Sequence, residues 1–167
     1  MTANAVVRPA RPEDAAELVR LRRLMFLAMS GRDEPGAWEA AAEQRAREQL
    51  AGGAARAMGA FVVDGDPGGG PHLAACAVGR IEERLPAPAH PEGRFGFVFS
   101  VCTDPRYRGL GHARATTGAL LAWFAERGVT RVDLHATPEA ESLYRSLGFA
   151  EHSIPLSLDL SRPGAPR

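Results

Sequence analysis

The chain has 167 residues, 45% of them hydrophobic and 24% charged, a balance that suits one soluble globular domain with a full core. Its formal net charge is zero, so it advertises no basic face of the kind a nucleic-acid partner requires. No apolar run approaches the ~18 residues of a membrane span, and the N-terminal "MTANAVVRPARPED" lacks an apolar signal core, which gives a cytoplasmic protein with no membrane partner as the expectation.

In chain order, "NAVVRPA" reads as a short strand. "RPEDAAELVRLRRLMFLAMSG" follows as a helix with Leu18, Leu21, Met25 and Ala28 on one face, Pro12 in its first turn and Gly31 at its end. "RDEPGAWEAAAEQRAREQL" predicts a second, more polar helix capped by Asp33 or Glu34. "MGAFVVDG" and "HLAACAVGRIEER" are apolar runs joined by a hairpin signal, "DPGGGP". "RFGFVFSVCT" predicts a strand with Phe95, Phe97, Phe99 and Val101 on one face. A helix then carries Ala113, Thr117, Leu120, Leu121 and Phe124 at helical spacing and stops at Gly128. "TRVDLHA" is the next strand. Thr137 and Pro138 predict the cap and first turn of a helix with Leu143, Tyr144 and Leu147 on one side, and "HSIPLSLDL" reads as an alternating last strand. This order describes an α/β fold around one mixed sheet. The last strand leaves room for pairing across a homodimer.

All 20 basic residues are Arg, since the sequence contains no Lys. A Walker A phosphate loop, a kinase-type strand lysine and a pyridoxal Schiff base therefore have no residue to work with. Cys76 and Cys102 lie in apolar stretches without a CxxC, as buried free thiols do.

The segment "TDPRYRGLGHARATTGALLAWF" leaves a strand, crosses a Gly- and Arg-rich turn and enters a helix. Such a turn presents unpaired backbone N–H groups and the positive end of a helix, which together make an anion site. Gly109 and Gly111 let a diphosphate approach closely, and Arg106 and Arg108 bring positive charge. A tight structural turn is the plain alternative. A dinucleotide fingerprint is another, because Gly109-Leu110-Gly111 begins GxG and Asp133 follows at a plausible distance, but Arg114 stands where that motif needs its third glycine for helix-to-strand packing.

Arg108-Gly109-Leu110-Gly111-His112-Ala113 resembles the signature of the GNAT superfamily of acyl-CoA-dependent N-acetyltransferases, and "LYRSLGF" resembles that family's second recurring stretch. The resemblance runs from about Val6 to Leu158. It implies a single-domain GNAT-like fold over residues 1–160 with a C-terminal tail at 161–167: a mixed, mostly antiparallel sheet flanked by helices, with two parallel strands splayed at the cofactor site. It further implies that acetyl-CoA is the cosubstrate. Its pantetheine arm would lie against the backbone of Val101, Cys102 and Thr103 and its pyrophosphate against the turn from Arg108 through Leu110 and His112 to Arg114. Thr137 falls where the family often has an Asn that contacts the cofactor arm.

By the same resemblance Tyr144 is the group that protonates or hydrogen-bonds the departing thiolate; the alternative is a core aromatic. The predicted strand before the turn has no carboxylate to serve as general base. Neutralising a Lys-like amine at pH 7 takes about 4.6 kcal/mol, so a group or a water chain must accept the proton. Glu82 and Glu83 on the neighbouring strand are the leading candidates, followed by Asp33, Glu34 and His135. No spacing suggests a metal. The expected function is direct transfer of acetyl from acetyl-CoA to a small-molecule or peptide primary amine in a ternary complex. A non-catalytic acyl-CoA-binding module is the other reading.

Overall fold

The strands β1 (Val7–Pro9), β2 (Met58–Asp64), β3 (Leu73–Glu83), β4 (Arg94–Thr103) and β5 (Arg131–Leu134) form one mixed sheet in that order. Neighbouring strands from β1 to β4 pair antiparallel, and β4 pairs parallel with β5. The helices are α1 (Ala15–Ser30), α2 (Ala37–Leu50), α3 (His112–Glu126) and α4 (Glu141–Ser146). This is a computed structural model, and the structure describes residues 5–163, which cluster into two compact units divided after Leu134.

In the first unit, β3 is central and covered on both faces, so Leu73 to Gly79 are all buried and the run reads as continuously apolar rather than alternating. On one face of the sheet, Leu18, Leu21 and Leu50 pack on Val62, Cys76, Val78 and Cys102. On the other, Leu120, Trp123 and Phe124 of α3 pack on Ala77, Ile81 and Val98. Full burial of each Leu, Val, Ile or Phe among them contributes roughly 1.5–3 kcal/mol. The close seating of α3 depends on Gly79, where a Cβ would lie 2.9 Å from the Phe124 ring. The second unit holds α4, and Tyr144 there meets Phe149 edge to face with ring centroids 5.9 Å apart.

Five local expectations are corrected. The register of β3 on β4 passes from Val78↔Ser100 to Gly79↔Val98, so Phe99 is the extra residue of a β-bulge. The bulge shifts the alternation by one, and Val101 joins the α3 side instead of the face of Phe97. Helix α2 is capped at Gly36, not at Asp33 or Glu34, because Asp33 is held by Arg23 and the Glu34 carbonyl accepts from the Trp38 indole. Thr137 is no helix cap: its carbonyl accepts from the Ala140 N–H in a preceding turn, and α4 starts at Glu141. Residues 151–160 form no strand. Pro155 removes a ladder donor, no strand among the described residues pairs with the segment, and Ile154, Leu156, Leu158 and Leu160 are exposed. The pairing across a dimer inferred from that strand thus loses its footing. Ala28, placed on the apolar face of α1, is also exposed.

Candidate active site

Parallel pairing of β4 with β5 covers only Phe95 to Val98 and ends at Val98↔Leu134, while β4 runs on to Thr103. Beyond Val98 one edge of β4 has no strand partner among the described residues. The Asp104 N–H donates to the Ala74 carbonyl of β3 at 2.8 Å. Backbone groups alternate along a strand, so Cys102 also faces β3, and the N–H and C=O of Val101 and Thr103 point to the unpaired edge. The free backbone groups of these two residues can pair with an extended ligand.

The strand then turns through Pro105–Tyr107 into Gly109, Leu110 and Gly111, and α3 begins at His112. Gly109 and Gly111 have φ of +77° and +80°, a backbone that L side chains adopt only under strain. At both positions an added Cβ would meet no protein atom within 4 Å, so it would project into the open space in front of the helix start. The first N–H groups of α3, from His112 on, have no intrahelical acceptor and face that space. The turn thus has the attributes of a phosphate cradle.

A clamp that was not legible in the sequence fixes the turn. The Asp104 carboxylate, 3% exposed, accepts from the Arg106 N–H at 3.0 Å, from Arg106 Nη2 at 2.9 Å and from Arg20 Nη1 at 2.8 Å. These guanidinium partners, Arg106 foremost, hold its carboxyl well below the usual carboxylate range. Arg20 also donates to Glu17 and to the Leu73 carbonyl. Tyr107 is buried, accepts from the Asp66 N–H at 3.0 Å and lies 2.6 Å from His72 Nε2, so it braces the turn against the β2–β3 loop. Arg106 is therefore occupied by Asp104. Arg108 is exposed and makes no ion pair with any described residue, so its charge is open to an incoming anion. The His112 ring lies 6.4 Å from that of Tyr107, and its buried Nδ1 has no hydrogen-bond partner among the described residues.

The remaining candidates are placed as follows. Tyr144 is 9% exposed and its hydroxyl makes no hydrogen bond with any described residue. Burial pushes its pKa up, which keeps the phenol protonated at neutral pH. Glu82 accepts from Arg84 and Arg80, each at 2.7 Å, and these partners, Arg84 first, hold its carboxyl below the ordinary value. Glu83 ends β3 opposite Arg94 and is exposed. Asp33 is likewise depressed by Arg23, and His135 is exposed just beyond β5. Among the described residues no group of three His, Cys, Asp or Glu could hold a metal, and no helix is long and apolar enough to cross a membrane.

An unpaired strand edge running into an open helix start can accept an extended ligand with a phosphate-bearing end. The sequence model of the acetyltransferase (GNAT) family matches residues 20–149, and the chain belongs to that family. A mycothiol acetyltransferase of Salinispora arenicola is 31% identical over 150 residues, covering 87% of this chain and 44% of that protein. The chain accordingly spans less than half the length of the curated relatives it matches. Among solved structures, a predicted acetyltransferase of Clostridium acetobutylicum with acetyl-CoA superposes with a TM-score of 0.77 at 21% identity, covering 94% of this chain and 97% of that one. A GCN5-related N-acetyltransferase from Ralstonia eutropha superposes with a TM-score of 0.68 at 27% identity, covering 92% and 99%.

Proposed function

We propose that residues 1–160 form an N-acetyltransferase that uses acetyl-CoA and passes the acetyl group directly to a primary amine in a ternary complex. The observation that carries this reading is the free edge of β4 at Val101 and Thr103, continuous with the open turn at Gly109 and Gly111. Acetyl-CoA would supply the activated acetyl thioester. Val101 and Thr103 would bind its arm through their backbone, with Cys102 between them turned to β3. The pyrophosphate would be held by the N–H groups of the turn and of the first turn of α3, from Gly109 to Arg114, and by Arg108. Thr137 is kept as a candidate contact.

Tyr144 is the proposed proton donor, because its hydroxyl is protonated at neutral pH and has no hydrogen bond with any described residue to give up. For the base, Glu82 is engaged by two arginines and is a weak proton acceptor, which favours Glu83 or water. That same engagement is what favours the second reading, an acyl-CoA-binding module without transfer. CoA release from acetyl-CoA in the presence of a panel of amines decides between them: amine-dependent release supports the transferase, and tight binding without release supports the module.

A further inference from the structure

An open cleft of about 500 Å³ lies on the α1–α2 side of the sheet, and its lining includes Arg22, Arg45, Gln49, Arg80, Phe97 and Phe99. No Asp or Glu lines it. Phe99 is the bulge residue, so the cleft opens on β4 where the strand loses its β5 partner, two residues before Val101.

The described residues do not balance the charge of the cleft. Arg22 is half-buried and lies over the rings of Phe26 and Phe99; among the described residues it donates to the Ser100 hydroxyl alone and has no carboxylate partner. Burial pushes its pKa down, as expected for a guanidinium removed from water without a counter-ion. Arg45 makes no hydrogen bond or ion pair with any described residue. Arg80 shares the single carboxylate of Glu82 with Arg84. Other arginines of the first unit, Arg8, Arg20, Arg23 and Arg106 among them, have carboxylates at 2.6–2.9 Å. Leaving a half-buried guanidinium without one is unfavourable unless a ligand supplies the anion.

We propose that this cleft is the acceptor subsite and that it selects small amines bearing an anionic group, a carboxylate or a phosphomonoester, which Arg22 and Arg45 grip while the amine faces the bulge in β4. The proposal rests on the acetyltransferase reading above. A cleft of this size suits a small molecule, and the Phe97 and Phe99 rings offer it an apolar wall. The arginines would repel a plain ammonium and admit a compensated one. Once the amine is bound, nearby positive charge also favours its neutral form, which lessens the demand on a protein base.

The test is calorimetric titration of the CoA-saturated protein with two matched pairs, ethanolamine against O-phosphoethanolamine and phenylalaninamide against phenylalanine. Wild type is run beside Arg22→Met and Arg45→Gln; the second lies on the exposed face of a helix and keeps the test valid should the first unfold. The anionic member of at least one pair is expected to bind about tenfold tighter or more than its neutral partner. Each substitution should remove most of that preference and leave CoA binding unchanged. The pair that responds tells phosphate from carboxylate. Equal binding of both members, no binding of either anionic member, or a preference that survives both substitutions overturns the proposal. Failure of CoA itself to bind overturns the transferase reading instead, and the pairs are then titrated on the protein alone.

Discussion

Arg20 on α1 donates from Nη1 to Oδ2 of Asp104 at 2.8 Å, and so ties the first helix to the entry of the glycine turn across 84 residues of sequence. The turn is set in place by this contact before any ligand arrives. Replacing Asp104 by Asn removes the charge that four donors address, and should lower stability at pH 7 by about 1–3 kcal/mol. The folded carboxyl titrates below its unfolded value of about 3.9. Its stabilisation is therefore complete at neutral pH and is lost as pH falls below about 4 toward the folded pKa. Denaturant melts at pH 7 and pH 3 should show the gap between wild type and Asp104→Asn narrowing at the lower pH; a gap that widens contradicts the clamp.

The glycines of the turn give a second prediction. Gly111→Ala and Gly31→Ala impose comparable strain, since φ is +80° and +73° and neither Cβ would meet a protein atom within 4 Å. Each should cost about 1–2 kcal/mol. Only the substitution at Gly111, in front of α3, should also weaken CoA binding, and Gly111→Asp should abolish it through bulk and charge. Equal CoA affinity in all three variants would show that the turn is structural only.

How far these features could be read in advance depends on the range of the forces behind them. The turn was legible because Arg108, Gly109 and Gly111 are adjacent and each answers a local demand of backbone or charge. Strands β2 to β4 were legible because "DPGGGP" punctuates two apolar runs. The bulge at Phe99 was not, since one extra residue in an apolar run carries no composition signal, and it alone moved Val101 to the other face. The Arg20–Asp104 clamp and the Arg22 cleft join residues 84 and 78 positions apart, and only the fold brings them together. The alternation of Ile154 to Leu160 described a strand correctly in period, but a strand also needs a neighbour, and period says nothing of that.

The two cysteines face each other across β3 and β4, and burial pushes Cys76 up to about 12 and Cys102 up to about 11. Both thiols should stay protonated and resist alkylation in the folded protein at pH 8, and both should react once the chain is unfolded in denaturant. Rapid labelling under native conditions, followed by mass spectrometry, would show that the strands open far more often than this packing implies.

Tyr144 separates catalysis from binding. Tyr144→Phe keeps the edge-to-face contact with Phe149 and removes a hydroxyl that has no hydrogen-bond partner among the described residues. Stability should change by no more than about 0.5 kcal/mol, and acetyl-CoA affinity should hold. Turnover with any accepted amine should fall by roughly 100-fold or more if the hydroxyl supplies the proton. Undiminished turnover ends the catalytic assignment of Tyr144.

The central claim, that the free edge of β4 and the turn before α3 form one site for acetyl-CoA, is tested most directly by thermal melts of the protein with acetyl-CoA, CoA or NAD. Acetyl-CoA and CoA at a hundred times their dissociation constants should each add about 2.7 kcal/mol of stability, and Gly111→Asp should erase the effect. NAD should add nothing, because Arg114 occupies the position where a dinucleotide turn needs glycine. Stabilisation by NAD alone, or none by acetyl-CoA, would contradict the account.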